Sequence, residues 1–227
     1  NQTWSGGLIT GDGSLTIPID TTLALQGTGT KYLGSSTIIN NGTINWSGGA
    51  IDHRGNGGII NNGLFDIQGD LSWGTENSPY DYSQFFLNNA GGTLRKSQGT
   101  GVAALGSDPG WNRFVNVTND GTIEVQSGTL DIWSGSSSAE ILTSSPNAVF
   151  RVQRAGFTLN NGATVSGPGK LLLSGSTLSI SGNTSVENLE QTAGTLQLNA
   201  ASNLTLSGPN QTWSGGLITG DGSLTIP

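Results

Sequence analysis

The residues best placed to do chemistry are the carboxylates Asp66, Glu124 and Asp131, each at the centre of an apolar-polar-apolar triplet, and the guanidinium of Arg95. Paired carboxyls roughly 5 to 9.5 Å apart, one with a raised pKa, would suit glycoside cleavage. The Gly-Thr-Leu and Gly-Thr-Ile motifs before Arg95 and Glu124 argue against that use. If they align with their counterparts before Asn45 and Asp66, the outward mid-strand column reads Asn45, Asp66, Arg95, Glu124. Arg95 then stands between two carboxylates and lowers the pKa of both, so the expected role of Asp66, Arg95 and Glu124 is a compensated charge column. His53 is the single histidine and there is no cysteine, so a metal shell or serine triad has no partners to draw on. Gly11-Asp12-Gly13 and the Asp66 to Asp70 stretch only loosely match oxygen-ligand loops, and read as glycine-rich turns. No catalytic residue, metal or cofactor is expected.

Aromatic side chains are the other candidates. Trp46 follows the inward phase of Ile44, and Trp4 opens the same Trp-Ser-Gly-Gly corner, so both are expected to pack inside. Trp111, beside Pro109-Gly110, and Tyr80 and Tyr82, in Ser-Pro-Tyr-Asp-Tyr, are the candidates for surface contact with a glycan or a neighbouring fibre.

These residues sit in a chain of 227 residues with 37 glycines, 33% hydrophobic and only 10% charged. Net charge is -7 with eight scattered basic residues, which lacks the footprint for holding phosphate backbones, so nucleic acid is not an expected partner. No apolar run approaches a membrane-spanning length. The first residue is Asn1, and no basic-then-apolar leader follows it, which suggests a mature product or an interior fragment.

Repeats organise the chain at two scales. Residues 1–18, NQTWSGGLITGDGSLTIP, recur letter for letter at 210–227. The expected organisation is therefore one full tandem unit, 1–209, and the start of the next identical one, 210–227, with the partner being the next copy, covalent or head-to-tail. At the short scale, triplets such as Leu15-Thr16-Ile17, Phe65-Asp66-Ile67, Ile123-Glu124-Val125 and Leu196-Gln197-Leu198 alternate with period two and are separated by Gly-rich and Asn-rich turns. No sustained 3.6-residue periodicity is found. The corners Asn40-Asn41-Gly42, Asn61-Asn62-Gly63, Asn88-Asn89, Asn119-Asp120-Gly121 and Asn160-Asn161-Gly162 recur at intervals that suit turns of about 20 to 30 residues. This predicts an all-β parallel β-helix, or β-solenoid, of right-handed sense, with about 8 to 10 coils per unit. Loop insertions are expected at 74–84 and 99–113. Asn40, Asn41, Asn61, Asn62, Asn88, Asn89, Asn119, Asn160 and Asn161 are the expected amide ladder, which requires parallel in-register stacking.

The runs FLNNAGGTLRKSQGTG (86–101) and FVNVTNDGTIEVQSGTLDIWSGS (114–136) resemble the repeats of large secreted bacterial surface proteins, the filamentous-haemagglutinin-like and autotransporter-passenger-like adhesins. The resemblance spans residues 38–208. It implies export to the cell surface or beyond it, and a fibrous or adhesive role without membrane insertion. The reading is a non-catalytic structural unit of an extracellular filament, sheath or stalk. An adhesin stalk that binds carbohydrate or cells is the alternative, and a β-helix polysaccharide lyase a third.

Overall fold

Period-two triplets bounded by glycine are too short to bury a face alone, so each must stack on a copy of itself. In the computed structural model, which describes residues 1–74, 84–106 and 115–226, they do so throughout. Every strand pairing is parallel, and no helix occurs among the described residues. The fold is a β-solenoid of about ten turns.

The first three turns each contribute one strand to each of three faces. The first face begins with Gln2–Trp4, Thr22–Leu25 and Thr43–Trp46; the second with Gly7–Ile9, Lys31–Leu33 and Ile51–His53; the third with Ser14–Ile17, Thr37–Asn40 and Gly58–Asn61. The first face forms one sheet of 11 strands, and the other two share a sheet of 16. They fuse where Thr129–Ser137, Val149–Leu159, Lys170–Ile180 and Leu189–Leu198 each run across both.

Inward positions form continuous columns. On the first face one column runs Gln2, Leu23, Ile44, Phe65, Leu94, Ile123, Ile141, Val165, Val186 and Leu206. Stacking like on like removes each apolar side chain from water against the turns above and below, which is how a chain poor in apolar residues keeps a dry core. Its thickest part is aromatic: Phe65 lies edge-on to Trp46 and Phe86 and stacked on Trp73, with centroids 5.3 to 6.5 Å apart.

Two expectations need correction. Part of the proposed insertion 99–113 belongs to the solenoid, because Val102–Leu105 is a second-face strand paired with Thr129–Ile132. The remainder from 107, and 75–83 of the other insertion, lie outside the described residues. The second correction concerns the Asn-Asn-Gly corners. Glycine at such turns is expected to serve by tolerating positive φ, yet Gly42, Gly63, Gly92 and Gly121 are absent from that region of backbone space. Close approach is what demands glycine: a Cβ on Gly63 would stand 2.1 Å from the carbonyl oxygen of Gly42, and one on Gly121 2.3 Å from that of Gly92.

Candidate functional site

At the end of each third-face strand the chain turns sharply, and the last inward side chain meets the corner carbonyls. An amide suits this place, because it can bond along the stack and into the corner together. Asn40 Nδ2 donates to Asn61 Oδ1, Asn61 Nδ2 to Asn88 Oδ1, and Asn88 Nδ2 to Asn119 Oδ1, each at 2.7 Å and fully buried. The same nitrogens reach the carbonyl oxygens of Leu64, Thr93 and Thr122. Asn119 Nδ2 closes the ladder on Ser137 Oγ at 2.8 Å. A second, exposed ladder runs beside it: Asn62 Nδ2 donates to Asn41 Oδ1 and Asn89 Nδ2 to Asn62 Oδ1.

Asn160 and Asn161 stand outside the buried ladder. The column position after Ser137 is taken by Leu159, so Asn160 falls one residue later, on the outer side of the corner. That corner is built differently: Gly162 adopts φ +87°, and Asn161 Oδ1 accepts from the backbone N–H of Asn183 at 2.9 Å. The shared letters Asn-Asn-Gly conceal two kinds of turn.

The charge column has the expected register, with Asn45 opposite Asp66, Asp66 opposite Arg95, and Arg95 opposite Glu124. Arg95 clasps Asp66 bidentately, Nε to Oδ1 and Nη2 to Oδ2, both at 3.1 Å. Although outward, Asp66 is buried beneath Arg95 and Gln68. Burial pushes its carboxyl up, but hydrogen bonds from Arg95 and Gln68 and the charge of Arg95 outweigh that and hold it below the usual carboxylate range. The hydrogen bond to Asp66 raises Arg95, with the Asp66 and Glu124 charges adding to it against the desolvation of the guanidinium. Glu124 Oε1 accepts from Gln126 Nε2 at 2.8 Å and Ser144 Oγ at 3.1 Å. Asp131 is on the second face, where Arg151 bonds it at 2.7 Å and Trp133 Nε1 and Gln153 add donors. The three carboxylates therefore do not share one groove.

Sequence reasoning missed the buried polar side chains that plug the corners from inside. Lys31 and Lys96 are both fully buried and inward. Lys31 Nζ donates to the carbonyl oxygens of Gly29 at 2.9 Å and Gly48 at 2.6 Å. Desolvation lowers its pKa. Lys96 takes an apolar column position between Ile67 and Val125, and its ammonium reaches Gln98 O at 2.7 Å and Asp70 Oδ1 at 3.0 Å. Gln84 accepts from Trp73 Nε1 at 2.8 Å and donates to Leu33 O at 2.7 Å. The available signal was phase: Lys31 and Lys96 stand at inward positions of alternating triplets.

Trp4, Trp46, Trp73 and Trp133 are buried. The surface-contact candidates Tyr80, Tyr82 and Trp111 lie outside the described residues, as does the side chain of His53. Among the described residues no three Asp, Glu or His side chains converge where they could hold a metal ion. No protein-family model, no curated protein and no solved structure matches this chain.

Proposed function

We propose that this chain is a structural unit of a long extracellular β-solenoid, a filament, sheath or stalk at a bacterial surface, and that it is non-catalytic. The observation that carries the reading is the repeated segment: residues 210–227, identical to 1–18, pair strand by strand with the preceding turn, so a second copy continues the stack begun by the first. The recurring polar chemistry runs along the axis, in amide ladders and charge columns. Such devices strengthen a stack, and among the described residues Asp66, Glu124 and Asp131 do not meet at one site. Hydrogen bonds from Arg95 and Gln68 hold the Asp66 carboxyl below the usual range, which does not suit it as the general acid of glycoside cleavage. The resemblance of 86–101 and 114–136 to secreted adhesin repeats supports the surface location and the neighbours this reading implies, adjoining fibres and surface glycans.

Electron cryo-microscopy of unfixed native material tests this. Continuous threads with a strong reflection near 4.8 Å and a longer axial spacing of about 45 Å, the advance per unit, are expected. Short isolated rods lacking the longer spacing would overturn it.

A further inference from the structure

The two copies of the 18-residue segment do not occupy the same faces. In the first copy, Gln2–Trp4 is on the first face against Leu23 to Leu25, Gly7–Ile9 on the second against Lys31–Leu33, and Ser14–Ile17 on the third against Thr37–Asn40. In the second copy, Thr212–Trp213 is on the second face against Glu190 and Gln191, Leu217–Gly220 on the third against Thr195 to Leu198, and Ser223–Thr225 on the first against Asn203 to Thr205. Each strand has moved on by one face.

Which side chains point inward is unchanged. Trp4 and Trp213 continue the inward positions of Leu25 and Gln191; Ile9 and Ile218 continue Leu33 and Leu196; Leu15 and Leu224 continue Ile38 and Leu204. Leu8 and Leu217 are both outward, 56% and 54% exposed. One sequence thus keeps its inward and outward phase in two azimuthal settings, although Trp213 is 61% exposed where Trp4 is 8%. The reason is that each face asks the same of a strand: alternate inward apolar residues and a glycine-bearing corner. Chain length sets the phase. The column that starts at Gln2 reaches its tenth member at Leu206, and Gln211, the copy of Gln2, comes only after the next corner.

We infer that the 209-residue unit spans nine and one-third turns, so the interface between successive copies is rotated by one face, a third of a turn. This rests on the tandem-solenoid reading and goes further, since it specifies how copies join. Each copy advances about 45 Å, and the true axial repeat takes three copies, about 135 Å. Surface features then wind around the fibre. The outward column Ile39, Ile60 and Leu87 on the third face, for example, would be presented to each side in turn. A filament so built has no single sticky side, and contacts its neighbours equally in three directions.

The chain holds no cysteine, which makes the phase directly testable in the full protein. Thr212 and its copy Thr3 are the probes, because they are the same residue with different outward neighbours, Glu190 and Ala24. After mild oxidation, the pairs Thr3→Cys/Ala24→Cys and Glu190→Cys/Thr212→Cys should both lose their free thiols in the monomeric fraction, since adjacent strands bring Cα atoms within disulfide reach. The pair Ser185→Cys/Thr212→Cys should keep both thiols. Bridging of Ser185 to Thr212 instead of Glu190 would show whole-number phasing and overturn the inference while leaving the solenoid filament intact. If Thr212 bridges to neither while Thr3 and Ala24 do bridge, the second copy is not seated as the next turn, and the filament reading fails with the inference.

Discussion

Turns two to five and turns six to nine solve the same corner in two ways. In the earlier region three short strands make each turn, and the third-face column ends in Asn40, Asn61, Asn88 and Asn119. In the later region two faces fuse into long strands, and the same column continues as Leu159, Ile180 and Leu198 after the transition at Ser137. The earlier turns also hold the buried Lys31, Lys96 and Gln84 and the aromatic cluster around Phe65, whereas the later interior is mostly aliphatic. The amide region satisfies its corner carbonyls from inside with side-chain donors, at the cost of desolvating them. The aliphatic region gains burial instead, and both regions keep the backbone bond across the corner, Asn62 N on Asn40 O in the one and Ser181 N on Leu159 O in the other. A solenoid tolerates either, because each turn answers only to its neighbours.

The comparison can be broken most severely at the aromatic hub. Phe65→Ala should cost about 3 to 5 kcal/mol, through a cavity that Trp46, Trp73 and Phe86 cannot close, read as a lowered urea midpoint. The ladder comes next. Asn61→Leu should lose about 2 to 3 kcal/mol, since it strands Asn88 Oδ1 and leaves corner carbonyls without a donor. Replacing Asn40, Asn61, Asn88 and Asn119 together by Leu, as the later turns do, should cost clearly less than four times the single change. Strictly additive losses would show that the ladder members act independently.

Titration separates the regions with a smaller effect. Asp66 and Asp70 have lowered pKa values in the folded chain, Asp70 first through its hydrogen bond from Lys96, against a little desolvation and with help from the N–H of Gly101. Their contribution is therefore present above pH 3.8 and is lost as pH falls through the lower folded values. Asp66→Asn should flatten that acid limb. Lys31 works in the opposite sense. Its folded pKa lies below 10.5, so stability should rise as pH climbs through the window between the two, and Lys31→Met should abolish that rise in equilibrium unfolding. The smallest effect is expected at Lys170, whose pairing with Glu190 is partly exposed on the later turns. Lys170→Ala should change stability by no more than about 1 kcal/mol.

Much of this was legible from sequence because stacking is local. Alternating triplets with glycine corners favour strands, and a corner that recurs in the same phase at intervals of 21, 27 and 31 residues favours parallel stacking, so the β-solenoid and the register of Asn45, Asp66, Arg95 and Glu124 could be read from the letters. So could most of the amide ladder. Asn160 could not, because its corner shares letters with the others but has a different backbone, and only the position of Leu159 in the column reveals the slip.

The sequence by itself determined the alternation of each strand, the parallel stack and the identity of the two terminal segments. The first two depend on residues within one turn of each other, and the third is read letter by letter. Tertiary structure alone decided which inward positions could hold an ammonium, since that depends on carbonyls from adjacent corners meeting at one point. It also decided the phase between the two copies. That phase is the accumulated length of every turn between Trp4 and Trp213, a sum to which each corner contributes and which no local pattern records.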